Sequence, residues 1–484
     1  MSIDSALRVL DNRRTKIVAT IGPATDSAEA IETLIDVGVD VFRLNMSHGD
    51  QDGHRVVYDR IRRLATAAGK HIAIIADLCG PKIRVGEFED GQITLETNET
   101  VVVTTRDVVG RAGLIPSQYE DLHKDVGAGD RILLADGVME LRVESVAQTE
   151  IRCTVVQGGI LGTSKGINLP GVEVSAPALT EKDYDDARFA LNMGVDFLAQ
   201  SFVRRANDVV VLKELIAAQA NDAFVIAKIE RPEALTHIDA ILEVTDGIMV
   251  ARGDLGVELP PEQVPVAQSL LIDRARAKNK PVIVATQMLE SMIENARPTR
   301  AEVSDVALAV SSGADGIMLS AETATGAHAI LAVEMMDRIA KQSEGYLWSE
   351  GAFGSVTVAD DAQPPIPFGD AVARSTAQLS RDLMVRAITV VTSSGVSATT
   401  VSSARPASPV VTVSANEQTC RRMNLMWGVI PVLVDEMQLK DPVDLSRRLV
   451  QELSLGATGD YVLLVQGFSG DPKKNTPSIT LLNV

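Results

Sequence analysis

Eight short apolar runs, each ending abruptly in polar or ionisable residues and each separated from the next by a stretch with helical spacing, constrain this chain more than any other feature. In order they are KIVAT, VDVFRLNMSHG, HIAIIADLCGPKIR, VDFLAQSF, FVIAKIE, GIMVARGD, PVIVATQML and GIMLSAETA. Near-continuous apolar runs of this length suit parallel strands buried on both faces. Eight strands alternating with helices predict an α/β fold of the (β/α)8 barrel type, with the ligand at the carboxyl ends of the strands. A doubly wound open sheet is the competing fold, but no GxGxxG or GxxxxGK[ST] supports it.

The densest chemistry lies in residues 224–256, where Lys228 and Glu230 close one run and Arg252 and Asp254 close the next. PEALTHIDAILEV between them has the spacing of an amphipathic crossover helix. Side chains two apart on a strand share a face, so Lys228 and Glu230 project together. Glu230 and Asp254, at the ends of adjacent strands, suit a hard cation such as Mg2+ (or Mn2+), which takes few protein oxygens and leaves the rest to water and phosphate. The same residues also fit a plain ion pair between Lys228 and Glu230, with Asp254 capping the turn DLG. Arg43, Asn45 and Ser47 alternate at the end of the second run, followed by His48, while Asp77, Lys82 and Arg84 follow the third.

The barrel pattern occupies residues 1–84, after a short polar lead, and resumes over 169–345. Residues 85–168 switch to β propensity with turn glycines, which predicts an inserted, barrel-like all-β domain placed to act as a lid; mere decoration is the other reading. Residues 346–366, rich in Pro, Gly and Asp, read as a linker, and 367–484 as a carboxyl-terminal α/β domain. There, Thr392, Ser393, Ser394, Gly395 and Ser397 lie between a strand and a helix, where hydroxyls and free N–H groups suit a phosphate-bearing effector; ordinary N-capping is the alternative.

A chain of 484 residues exceeds one compact core. Its net charge of −19 argues against nucleic acid or an anionic membrane as partner, though local Lys and Arg clusters still admit anionic ligands. Cys79, Cys153 and Cys420 form no CxxC or Cys/His pattern, and the start of the chain lacks an apolar signal region, so a soluble, unprocessed protein of the reducing cytoplasm is expected.

The pieces TKIVATIGPA, RLNMSHG, GPKIR, SKGINLPG, LTEKD, KIER, ARGDLGVE, ATQMLESM, PTRAEVSDVA, MLSAET and NLMWGV together resemble the pyruvate kinase family almost from end to end. DLCGPKIR and SAPALTEKD look like its bacterial type II branch. The resemblance implies transfer of the phosphoryl group of phosphoenolpyruvate to ADP, giving pyruvate and ATP, and a cooperative homotetramer with PTRAEVSDVA near a subunit contact. It assigns Glu230 and Asp254 to the divalent metal and Lys228 to the phosphoryl group in flight. Arg43, Gly253, Asp254 and Thr286 would hold phosphoenolpyruvate; Asn45, His48, Arg84 and Lys165 would face the nucleotide. Ser320 and Glu322 match candidates for proton delivery through water. Asn45, Ser47, Asp77 and the Leu78 carbonyl match a monovalent-cation (K+) site. Lys82 departs from potassium-dependent members, where an acidic residue stands. In the family such a lysine accompanies independence from potassium, so weak or absent activation by K+ is expected.

Two other readings share these residues. A barrel aldolase would use Lys228 as a Schiff base, but Glu230 nearby disfavours the low lysine pKa required. A catalytically silent sensor would bind a phosphorylated metabolite through its carboxyl-terminal domain. The GxSxG match at Gly162–Gly166 precedes no helix and is no hydrolase elbow.

Overall fold

The computed structural model describes residues 12–351, 353, 365–468 and 475–484. Eight parallel strands close into a barrel: β1 Lys16–Thr20, β2 Val41–Asn45, β3 Ala73–Asp77, β4 Phe197–Gln200, β5 Phe224–Ile229, β6 Gly247–Ala251, β7 Val282–Ala285 and β8 Gly316–Leu319. β8 pairs back onto β1, Lys16 opposite Gly316. The expected barrel is therefore the fold.

Strand alternation divides the apolar residues into two cores. Val18, Val41, Ile75, Phe197, Ile226, Met249, Ile283 and Met318 pack inside the barrel. Their neighbours Ile17, Phe42, Ile74, Leu198, Val225, Val250, Val284 and Ile317 pack outward against the helices. Since Ile226 points inward, Lys228 and Glu230 continue its face towards the carboxyl end.

Between β3 and β4 the chain leaves the barrel. The departing segment builds a six-stranded sheet and a separate two-stranded ribbon, Gln92–Leu95 with Gly159–Gly162. These sheets enclose their own core, including Val101, Ile132, Leu141, Ile151 and Val155. Among the described residues of 85–168 the regular structure is strand apart from one short helix, Leu122–Asp125, with turns and loops between the strands.

The last barrel helix, Ala329–Ser349, runs past residue 345; residues 352 and 354–364 of the expected linker, and residues 1–11 of the lead, lie outside the described residues. The carboxyl-terminal sheet is ordered 429–433, 410–414, 387–391, 461–466, 478–483, its first four strands parallel. Ser478–Asn483 adds an antiparallel edge that the apolar pattern did not announce.

This domain floors the barrel. Leu425, Met426 and Val429 share a continuous core with the barrel interior. Arg421 reaches the buried Asp196 at 2.8 Å, Arg405 reaches Asp315 at 3.0 Å, and the Lys16 ammonium donates to the Val429 carbonyl at 2.8 Å. No described helix is long and apolar enough to cross a membrane.

Candidate active site

The carboxyl ends of β2, β3 and β5 bring four ionisable groups into one buried cluster, joined by Ser201 from the end of β4. In-register pairing sets Asn45 against Asp77 and carries Arg43 alongside β3. The Arg43 guanidinium donates through Nε to Asp77 Oδ2 at 2.6 Å and through Nη1 to Thr20 Oγ1 at 3.1 Å. From β5, the Lys228 ammonium lies 3.1 Å from Asp77 Oδ1, 2.9 Å from Glu230 Oε1 and 2.7 Å from Ser201 Oγ.

Burial disfavours the Lys228 charge, but Asp77 and then Glu230 outweigh it and hold the ammonium above the ordinary lysine range, so it remains a cation. Burial also pushes Asp77 up, and Lys228 and Arg43 more than reverse this, leaving it below the usual carboxylate range. Burial raises Glu230; Lys228 opposes that shift and the charge of Asp254 adds to it.

Asp254 does not cap a turn. The chain enters the helix Arg252–Glu258 directly from β6, with Asp254 in its first turn. Asp254 raises Glu230 by like charge even though Lys228 faces Glu230 and Lys82 faces Asp254, an effect that a bound cation would oppose. Among the described residues no group of three or more His, Cys, Asp or Glu gathers as a metal cage, so a metal here has two carboxylates and must complete its shell elsewhere. That donor set fits Mg2+. The Lys82 ammonium lies 3.5 Å from Asp254 Oδ1 and 4.0 Å from Asp136 Oδ1 of the inserted domain, so its ion pairs are with these acids rather than with Asp77.

Thr286 and Gln287 follow β7 with φ of 70° and 53°, a left-handed backbone costly for side chains with a Cβ. Arg252 holds this loop by donating to the Thr286 carbonyl at 2.7 Å while pairing with Asp305 at 2.6 Å. Thr286 Oγ1 accepts the Gly253 N–H at 2.7 Å, which ties the loop after β7 to the helix after β6. After β8, Glu322 accepts the N–H of Leu289 at 3.1 Å and of Ser320 at 2.7 Å. Both Glu322 oxygens are thus engaged, whereas Ser320 Oγ is buried without a protein partner.

The remaining expected residues divide between the rim and the neck. Ser47 lies past the end of β2 and so does not continue the alternation of Arg43 and Asn45; its N–H donates to Asn45 Oδ1 at 3.2 Å. His48 is exposed, its carbonyl 2.9 Å from His54 Nε2. Arg84 and Lys165 stand side by side where the inserted domain joins the barrel: Arg84 bridges to Gly166 and donates to the Ser164 carbonyl at 3.1 Å. No hydrogen bond or ion pair among the described residues joins His48 to them. The Leu78 carbonyl already accepts the Ser201 hydroxyl at 2.7 Å. Ser201 and the N–H of Phe202, which donates to Glu230 Oε2 at 2.7 Å, were not singled out from sequence. The only trace in the sequence is that the apolar run VDFLA gives way to Gln200 and Ser201, which shows a strand end but not its partners.

In the carboxyl-terminal domain, Thr392, Ser393, Ser394 and Ser397 line a cleft of about 1090 Å³ with Asn416, Gln466 and Phe468. Gly395, at φ 90°, shapes the turn instead: a Cβ there would meet Met423 at 2.5 Å, and its N–H donates to Thr392 Oγ1 at 3.0 Å.

Comparison with known proteins completes the picture. Residues 12–333 match a family model described as pyruvate kinase, barrel domain, and residues 370–480 one described as pyruvate kinase, alpha/beta domain. A pyruvate kinase of Staphylococcus saprophyticus is 42% identical over 473 residues, 97% of this chain and 80% of that protein. One from Staphylococcus aureus strain MRSA252 is 42% identical over 459 residues, 94% of this chain and 78% of that protein. A crystal structure of a pyruvate kinase from Cryptosporidium parvum superposes with a TM-score of 0.91 at 34% identity, covering 99% of each chain.

Proposed function

The chain belongs to the pyruvate kinase family, and from that premise we propose how its residues divide the work of phosphoryl transfer. It is a phosphotransferase that moves the phosphoryl group of phosphoenolpyruvate to ADP, giving pyruvate and ATP. The observation that carries the residue assignment is the buried Lys228 ammonium held at a ring of strand ends beside Arg43.

Phosphoryl transfer spreads negative charge over the phosphoryl oxygens, so it needs fixed positive charge more than a nucleophile supplied by the protein. Arg43, the backbone at Gly253 and Asp254, and Thr286 hold the phosphate and carboxylate of phosphoenolpyruvate, with the bond from the Gly253 N–H to Thr286 Oγ1 keeping the two loops together. As the bond from phosphorus to the enol oxygen breaks and the bond to the ADP oxygen forms, Lys228 stabilises the moving group. Glu230 and Asp254 would hold Mg2+ or Mn2+, which when bound supplies Lewis-acid charge to the phosphate and enol oxygens. The enolate carbon then takes a proton from the side of Ser320, whose buried hydroxyl has no protein partner. Glu322, with both oxygens held by backbone N–H groups, positions that loop.

The nucleotide lies at the neck, between Arg84, Lys165, Asn45 and His48, under the inserted domain acting as a lid. Asn45, Ser47, Asp77 and the Leu78 carbonyl form the K+ site in this reading, with Lys82 making the ion dispensable. A phosphorylated metabolite binds the serine-rich cleft as effector, and the enzyme works in the cytoplasm as a homotetramer. Exposed Val266 and Leu270, on one barrel helix, support contact between copies.

A coupled assay of pyruvate formation from phosphoenolpyruvate and ADP, with and without Mg2+, tests the core of this reading; turnover that ignores added metal overturns it. A screen of phosphorylated effectors and light scattering of the purified chain test the rest. Failure of borohydride to trap substrate on Lys228, together with an absolute need for ADP, separates it from the aldolase reading.

A further inference from the structure

We infer that Ser201 is a positioning residue for phosphoryl transfer, joining the carbonyl assigned to the monovalent-cation site directly to the lysine assigned to the moving phosphoryl group. The inference rests on the role given to Lys228 above.

Ser201 is 3% exposed and sits just past the carboxyl end of β4, between the ends of β3 and β5. Its hydroxyl has one proton and donates it to the Leu78 carbonyl at 2.7 Å. That bond turns an oxygen lone pair towards Lys228, whose ammonium donates to Ser201 Oγ at 2.7 Å. Of the three groups around the ammonium, Asp77 and Glu230 are carboxylates that draw it by charge. Ser201 is the neutral acceptor among them, with a direction fixed by its own donor bond, so it governs where the ammonium points rather than whether it is charged.

The surroundings leave Ser201 little freedom. Gly80 passes so close that a Cβ on it would lie 2.8 Å from Ser201 Cβ and 2.9 Å from Phe202 Cδ2. Phe202, at φ 55°, then presents its N–H to Glu230 Oε2 at 2.7 Å. The turn Ser201–Phe202 therefore fixes Lys228 through a side chain and Glu230 through the backbone. A change in the coordination of the Leu78 carbonyl reaches the transferring lysine through one shared hydroxyl. Preorganised donors lose their advantage when displaced by about an ångström, on the order of a hundredfold in rate.

The test uses the full-length enzyme with Ser201→Ala, which removes the hydroxyl, and Ser201→Cys, which adds no atom and keeps a weaker acceptor. Expected is a kcat about 10- to 100-fold below the parent for Ala and in between for Cys, with KM for phosphoenolpyruvate and ADP within about threefold. That order, with binding preserved, is not what simple loss of folded protein produces, since inactive molecules lower kcat without following acceptor strength. Equal kcat in all three proteins overturns the inference, as does a rise in KM with kcat retained. If Ser201→Ala does not fold, a kcat for Ser201→Cys equal to the parent still overturns it. Lys228→Ala separates the two layers: activity in that variant sinks the role of Lys228 itself, whereas an inactive Lys228→Ala beside a fully active Ser201→Ala sinks only the role of Ser201.

Discussion

The two mouths of the barrel both bury charge, and they differ in what surrounds it. At the amino-terminal end, Asp196 gives one oxygen to Arg421 and the other to Arg62 and the N–H of Ile74. Asp315 likewise serves Arg405, the N–H of Trp427 and the N–H of Val282. Every carboxylate oxygen there has a donor. At the carboxyl-terminal end, Glu230 feels Asp254, Ser320 Oγ has no protein partner, and Thr286 and Gln287 sit in left-handed backbone. Satisfied ion pairs hold parts together, whereas unbalanced charge and strained loops wait for a ligand.

The comparison is broken most directly at the amino-terminal mouth. Asp196→Ala strands two arginines and a backbone N–H, so it should lower stability by about 3–5 kcal/mol while leaving kcat per folded site within a few-fold. Denaturant melts beside active-site titration check this; a stable but inactive variant would place function at the wrong end. Lys228→Ala also strands buried charge, on Asp77 and Glu230, but its loss goes beyond stability: kcat per folded site falls by about 10²–10³, so intact turnover in steady-state kinetics normalised to folded protein would remove the assignment. Adding Mg2+ at a hundredfold excess over its dissociation constant should stabilise the protein by about 2.7 kcal/mol, and Glu230→Gln should erase that gain. A thermal shift with Mg2+ that survives in Glu230→Gln moves the metal elsewhere. The smallest effect expected is none at all: exchanging KCl for a bulky organic cation should leave the rate unchanged, and a rate that collapses and returns with KCl refutes the role given to Lys82.

Much of this contrast was visible in the sequence because buried parallel strands leave a plain trace. FVIAKI and GIMVA are buried nearly throughout, and the ionisable residues that follow can only lie at the strand ends. Where a tertiary contact or a backbone turn decides, the trace fades. PEALTHIDAILEV reads as one helix, yet it is two, Pro232–Thr236 and Ile238–Val244, broken at His237 with φ −104° and ψ 13°. The periodicity survives a local break that keeps both halves on the same face. The edge strand Ser478–Asn483 is mostly unburied and so lacks an apolar run. Ser201 escaped notice because its importance lies in two partners far away in the chain, Leu78 and Lys228, and spacing along one strand records neither.

Leu425 and its neighbours, packed up into the barrel interior, also bear on how this enzyme can be taken apart. A fragment ending near residue 345 would be a vessel without a bottom, its innermost apolar layer open to water, and should be recovered as aggregate. The junction between the barrel and the carboxyl-terminal domain is therefore a poor place to cut for crystallography or for grafting a foreign module, and chimeras are better joined within the carboxyl-terminal sheet, below that plug.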